Sequence, residues 1–272
     1  WQLSEKLDTQ TTLMSVNGMN DLFDRISGGK MPTGWTLDSL TRFSNLTPYV
    51  QKHLQAVYFT LALASGAAAV GTYLDMMFHL GGLLTAIGTI GFASAISVTP
   101  RDAGWEKQRG NDRLRFGYLM GLALCSGASL GPLVQQTLWI DPSIVTTALL
   151  GTMTIFACFS ISAMTSQRRS WFFLGGILST ILSTMMMLRF ALFFFGGSSS
   201  AYFYDAQLYI GLAVFLGYIL VDTQVIIEKA HSGHKDHIAD AMSLFLDLVA
   251  IFARLLIILS KRNERRERER RN

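Results

Sequence analysis

The sequence predicts an all-α fold, a polytopic membrane bundle of about seven spanning helices whose last helix carries charge. Three observations predict it. Of 272 residues, 50% are hydrophobic and 15% charged, against roughly 25% charged in a soluble domain. The apolar residues come in long blocks, and a block of about 18 or more apolar residues is a span candidate. The 24 Gly, 18 Phe and 12 Met suit helices packed in lipid, where small residues let backbones approach. The mean hydropathy of +0.33 points the same way.

The blocks fall at 54–74, 78–98, 116–138, 144–165, 171–195, 207–227 and 239–260. Each is near the roughly 20 residues a helix needs to cross about 30 Å of hydrocarbon. Spanning backbone must satisfy its own hydrogen bonds, so helices are the default; a membrane barrel shows alternating strands of about 10 residues instead. Asp141-Pro142-Ser143 and Ser170 mark the starts of the fourth and fifth helices. Ahead of the blocks, residues 1–50 form a polar extension broken by Gly28-Gly29 and Met31-Pro32-Thr33-Gly34. It is expected to face the cytosol, and no cleavable signal peptide is expected at its start. The domains are therefore 1–50, the transmembrane body at 51–260 and a basic tail at 261–272.

The net charge of +4 is too small to indicate nucleic-acid binding. The basic residues sit between the apolar blocks. Cys125 and Cys158 lack metal-ligand spacing and are expected to be reduced core residues. Arg101, Lys107, Arg109, Arg113 and Arg115 follow the second block, Arg168 and Arg169 the fourth, Lys229 and Lys235 the sixth. Basic short loops stay cytosolic, so the N-terminus and the loops at 99–115, 166–170 and 228–238 are expected there. Arg189, near the end of the fifth block, is expected to snorkel to the far interface. The tail is in conflict: seven spans put it on the far side, while its seven basic residues, Lys261 to Arg271, favour the cytosol. Two solutions stay open, a last segment that dips in and returns, and one that crosses shielded at a bundle centre.

Charges inside the blocks are the candidate functional residues. Asp222 lies roughly 8 Å from the cytosolic end of the sixth block, and Asp247 roughly 12 Å into the seventh. The two helices run in opposite directions, so these carboxylates approach one depth. Arg115 opens the third block from the same side. On the last helix Asp240, Asp247 and Arg254 recur every seven residues, close to two turns, and so share a face with Ser243 beside them. Intramembrane charges usually line a cavity or pair with one another. For Asp240 an ordinary charge at a helix N-terminus is the simpler expectation. For Arg254 an ion pair and a contribution to the site weigh equally. His231, His234 and His237 have weak spacing for a metal and read as a solvated loop. Two acids in a dry site must share a proton or take up a cation, and carboxylate oxygens suit Ca²⁺. The pattern alone predicts an ion or proton pathway with a pH-sensitive latch.

At these residues the chain resembles the Bax inhibitor family, in its endoplasmic-reticulum branch. The matching stretches are Phe43-Ser44 with Thr47-Pro48, Ser129-Leu130-Gly131-Pro132, Asp141-Pro142-Ser143-Ile144 and Ile155-Phe156-Ala157-Cys158-Phe159. They continue through Arg168-Arg169-Ser170, Leu174-Gly175-Gly176-Ile177-Leu178, Asp222-Thr223-Gln224 to Ala230, and Leu244-Phe245-Leu246-Asp247. They recur in order across residues 43–262. The resemblance implies six helices around a central, more polar last helix. It implies a multi-pass protein of the endoplasmic-reticulum membrane, a pH-responsive calcium leak, and suppression of cell death under stress. Beyond the lipid bilayer, it implies anti-apoptotic Bcl proteins and other reticulum membrane proteins as partners. The family's paired acids fall on Asp222 and Asp247, which would meet Ca²⁺ as a transported ion, with no resident cofactor. Its basic residue at the start of the third helix falls on Arg115. One departure is Ser243, where some members carry a further acid.

Other classes fit less well. The Gly-x-Gly-Asp motif of an intramembrane aspartyl protease is missing around Asp247, and no Gly-x-Ser-Gly nucleophile occurs. The Asp-Arg-Tyr and Asn-Pro-x-x-Tyr signatures of seven-helix receptors are also missing. No enzymatic activity is expected. A non-conducting membrane scaffold that regulates cell-death and calcium-handling proteins is the alternative function.

Overall fold

The computed structural model describes residues 47–99, 105–165, 171–195, 201–233 and 236–271. The expectations for the N-terminal extension up to residue 46, for Arg101, Arg168, Arg169 and Ser170, and for His234 and Lys235 lie outside them, as do those for the side chains of Lys107 and Arg109. Seven helices follow one another: α1 Pro48–Phe78, α2 Leu83–Val98, α3 Trp105–Ile140, α4 Pro142–Thr165, α5 Trp171–Phe195, α6 Ala201–His231 and α7 His237–Arg271. No strand occurs among the described residues. The seven apolar blocks thus each form a helix, and six of the helices are long and apolar enough to cross a membrane.

The exception is α2. Its 16 residues rise only about 24 Å. The second block begins at residue 78, yet the chain spends His79–Gly82 on a turn. The His79 amide bonds the Asp75 carbonyl at 2.7 Å, and His79 itself takes a left-handed φ of 52°. The Asp75 carboxylate accepts the Gly81 amide. A buried acid therefore fastens the hairpin that shortens α2.

α1 and α3 lie side by side through small residues. A Cβ built on Gly127 would overlap the Ala68 carbonyl, and one on Gly71 would overlap that of Leu124. Thr72 stitches the same seam, its hydroxyl donating to Ala68 O at 3.0 Å and to Gly127 O at 2.9 Å. Without a hydrophobic drive between helices in lipid, such close backbone packing is what holds them. Pro132 stands inside α3, where neighbouring helices make a missing amide tolerable.

α7 packs against α1, α3, α4 and α6, so it is the central helix the family resemblance implies; α5 rests mainly on α6. Val134, Ile144, Ala148 and Leu256 form one buried cluster around α7, and Leu178, Val214 and Val221 a second beneath α5. Large side chains such as Leu84, Phe173 and Phe195 lie exposed on the periphery, as lipid-facing residues do.

The last helix is continuous for 35 residues and does not turn back. Its far half is tied to the start of α6, where Asp205 accepts from Lys261 at 2.6 Å and from Arg265 at 2.9 Å. The start of α7 instead meets the end of α6. Of the two solutions left open by the sequence, the fold takes the unbroken helix, long and apolar enough to cross, and its charged tail is a helical extension at the opposite end of the bundle from His237.

Candidate functional site

The first turn of α7 gathers basic side chains from three other helices. Asp236 stands just before the helix and caps it, its Oδ1 accepting the Ala239 amide at 3.2 Å. Its other oxygen accepts from Arg115 Nη2 of α3 at 2.6 Å. One turn on, Asp240 accepts from Lys229 Nζ of α6 at 3.2 Å and is bonded to His53 Nε2 of α1 at 2.9 Å. A helix N-terminus favours negative charge, so the two acids serve α7 and the ion pairs together. Arg115, His53 and Asp240 are all buried, while Lys229 is half exposed.

Seven residues further along α7, roughly 10 Å deeper, lies Asp247. It is buried, and its Oδ2 has no hydrogen-bond partner. The half-buried Asp222 of α6 lies near enough for its charge to be felt at Asp247. The antiparallel run of α6 and α7 therefore places the two predicted acids in the same half of the bundle. The hydroxyls of Tyr58, Ser160 and Thr223 converge one residue along from Asp222, from α1, α4 and α6. Gln224 donates to the Ala163 carbonyl of α4. Carboxylate and hydroxyl oxygens from four helices thus line one polar layer, the donor chemistry a hard cation takes. Among the described residues no group of three or more His, Cys, Asp or Glu is arranged to hold a metal.

Several expectations change. Arg115 lies in the same half of the bundle, but it bonds Asp236 rather than Asp222 or Asp247, and its Nε and Nη1 remain buried without partners. Asp240 is only 3% exposed, so it is a member of an ion-pair network and not an ordinary surface charge. Ser243 is half-buried on the stripe. Arg254 forms no ion pair among the described residues: it donates to its own helix at Ala250 O, 2.9 Å away, and stacks 4.3 Å from the Phe215 ring centre. Arg189 is exposed. Cys158 faces outward and Cys125 is only partly covered, so neither is a core residue, though both are free.

The residues missed were His53, Asp236 and Lys229. Each sits at a helix end and looks like an ordinary interfacial charge in the sequence. The available signal was spacing: Asp236 and Asp240 are four apart, which places them on one face of a first turn.

Comparison with known proteins follows the same stretch of chain. The family described as inhibitor of apoptosis-promoting Bax1 matches residues 50–264. Bax inhibitor 1 of Arabidopsis thaliana is 42% identical over 252 residues, covering 93% of this chain and 97% of the relative. Bax inhibitor 1 of Oryza sativa subsp. japonica is 40% identical over 248 residues, covering 90% and 96%. Bax inhibitor 1 of Homo sapiens is 39% identical over 234 residues, covering 85% and 95%.

Proposed function

The chain belongs to the Bax inhibitor family, and on that premise we propose that it is a pH-sensitive calcium leak of the endoplasmic-reticulum membrane that suppresses programmed cell death. The observation that supports conduction is the buried Asp247 carboxylate with the charge of Asp222 near it. A buried carboxylate that feels a second one and leaves an oxygen unpartnered needs a proton or a cation to compensate it. Ca²⁺ and H⁺ then compete for one place, and the leak varies with pH. Arg115, with two unpartnered nitrogens in the same half of the bundle, is the cation that closes the site when neither is bound. Suppression of cell death rests on the family description, inhibitor of apoptosis-promoting Bax1.

The test is flux through purified protein in liposomes loaded with a calcium dye. Leak above empty vesicles, changing across pH 5.5 to 8 and flattened by Asp222→Asn or Asp247→Asn, is the expected result. Flux equal to empty vesicles at every pH refutes conduction and leaves the scaffold. Loss of protection in a cell-death assay without loss of flux separates the two halves of the proposal.

A further inference from the structure

α1 and α4 are neighbours that barely pack on each other, and the gap between them is a cavity of about 810 Å³. α7 forms its floor through Val249 and Phe252, both only partly covered. Small residues carve the α1 wall: Ala62, Gly66 and Ala69 are exposed to the gap. Its near end is closed by the edge-to-face pair of Tyr58 and Phe156, ring centres 6.4 Å apart. Its far end reaches Val145, one turn into α4.

The lining defines the occupant. No charged side chain lines the cavity. Its hydroxyls are already bonded to their own helices: Ser65 to Leu61 O, Thr72 to Ala68 O and Thr152 to Ala148 O, at 2.7–3.0 Å. The Tyr58 hydroxyl is buried beside Ser160 and Thr223, neither of which lines the cavity. The walls therefore ask for no hydrogen bond, which excludes a headgroup or a sugar and fits plain hydrocarbon. From Tyr58 to Thr72 the cavity runs roughly 21 Å, longer than the roughly 15 Å of one leaflet. A chain lying in it is held straight and crosses the bilayer midplane, unlike the chains around the protein.

We propose that this cavity is a binding site for one acyl chain of a bilayer lipid, entering at the α4 end and seated on α7. Val249 and Phe252 lie about half a turn round α7 from Asp240, Asp247 and Arg254. The chain is thus pressed against the back of the helix whose front carries the acids.

The site is tested with a phospholipid carrying a photoactivatable group on its acyl chain, reconstituted with the full chain and mapped by mass spectrometry. Label is expected on Val249 and Phe252 as well as on the lipid-facing α5 residues Phe173 and Met187, which are 79% and 76% exposed. Gly66→Leu blocks the gap, and a Cβ there meets nothing within 4 Å, so the fold is retained. Ala69→Leu, also exposed to the gap, is the second blocker should Gly66→Leu fail to elute as a single species. Either variant is expected to abolish label on α7 and leave α5 label unchanged. An unlabelled α7 in the unaltered protein, or α7 label that survives both blockers, overturns the site.

Discussion

Asp236→Asn isolates the charge that Arg115 depends on. Asn is as good a helix cap as Asp, so the bond to the Ala239 amide survives while the carboxylate that meets Arg115 at 2.6 Å is neutralised. Arg115 is 4% exposed and already carries two unpartnered nitrogens. Removing one partner of a buried pair costs about 3–5 kcal/mol. Asp236 is 30% exposed, and solvent screening reduces the expected loss to about 2–3 kcal/mol. Arg115→Met removes the buried charge and its orphaned nitrogens, leaving an apolar stem of similar length. A well-packed apolar replacement of a buried charge is near neutral, so its expected cost is under about 1 kcal/mol. In the Arg115→Met background Asp236→Asn should cost almost nothing further, because the two act as one unit. Thermal unfolding of the detergent-solubilised protein, followed by loss of the monodisperse peak, measures all three. Equal destabilisation by Asp236→Asn with and without Arg115 would refute the pairing.

Three further outcomes follow from other contacts. Asp240→Asn strips His53 and Lys229 of a shared acceptor and is expected to destabilise by about 3 kcal/mol; His53→Ala in the same background should add little, as thermal melts will show. Gly127→Val drives a side chain into the Ala68 carbonyl, an overpacking that costs at least about 1–3 kcal/mol, while the same change at Gly66, where space is open, leaves the elution profile intact. Asp141 caps α4 through the Ser143 amide at 2.8 Å, and that bond holds its carboxyl below the usual range. Its stabilising contribution is therefore complete above the ordinary aspartate value near 4 and fades as pH falls through the lower folded value. The small loss in Asp141→Ala should be present at pH 7 and vanish in strong acid.

The sequence carried the fold where lipid dictates pattern. Long apolar blocks gave seven helices, and the depth of Asp222 and Asp247 along two antiparallel helices places them in one half of the bundle. What stayed hidden depended on lateral placement. Nothing in a helix sequence says which neighbour its face meets, so Arg115 was matched by depth to the deeper acids when Asp236 lay nearer. Asp75 was unremarked because its role, fastening a turn through the Gly81 amide, needs the turn to exist first. The far crossing of α7 required Asp205, which pairs with Lys261 and Arg265 across more than fifty residues. Helix length was underestimated at the ends of α1, α3 and α6, because amphipathic first and last turns fall outside an apolar window.

The short α2 has a bearing on where the protein is at ease. It packs chiefly on α3 and turns Leu83, Leu84, Ile87, Ile90 and Val98 outward, so its length is matched against lipid directly. A helix of about 24 Å falls some 6 Å short of an average hydrocarbon layer of about 30 Å. The shortfall halves in a bilayer of about 27 Å and widens to about 8 Å or more in one of 32–33 Å. Each ångström of mismatch costs a fraction of a kcal/mol. A thickness series of single-chain-length bilayers should therefore show this protein most stable in the thinner members, with lengthening of α2 by one turn moving the optimum to thicker ones.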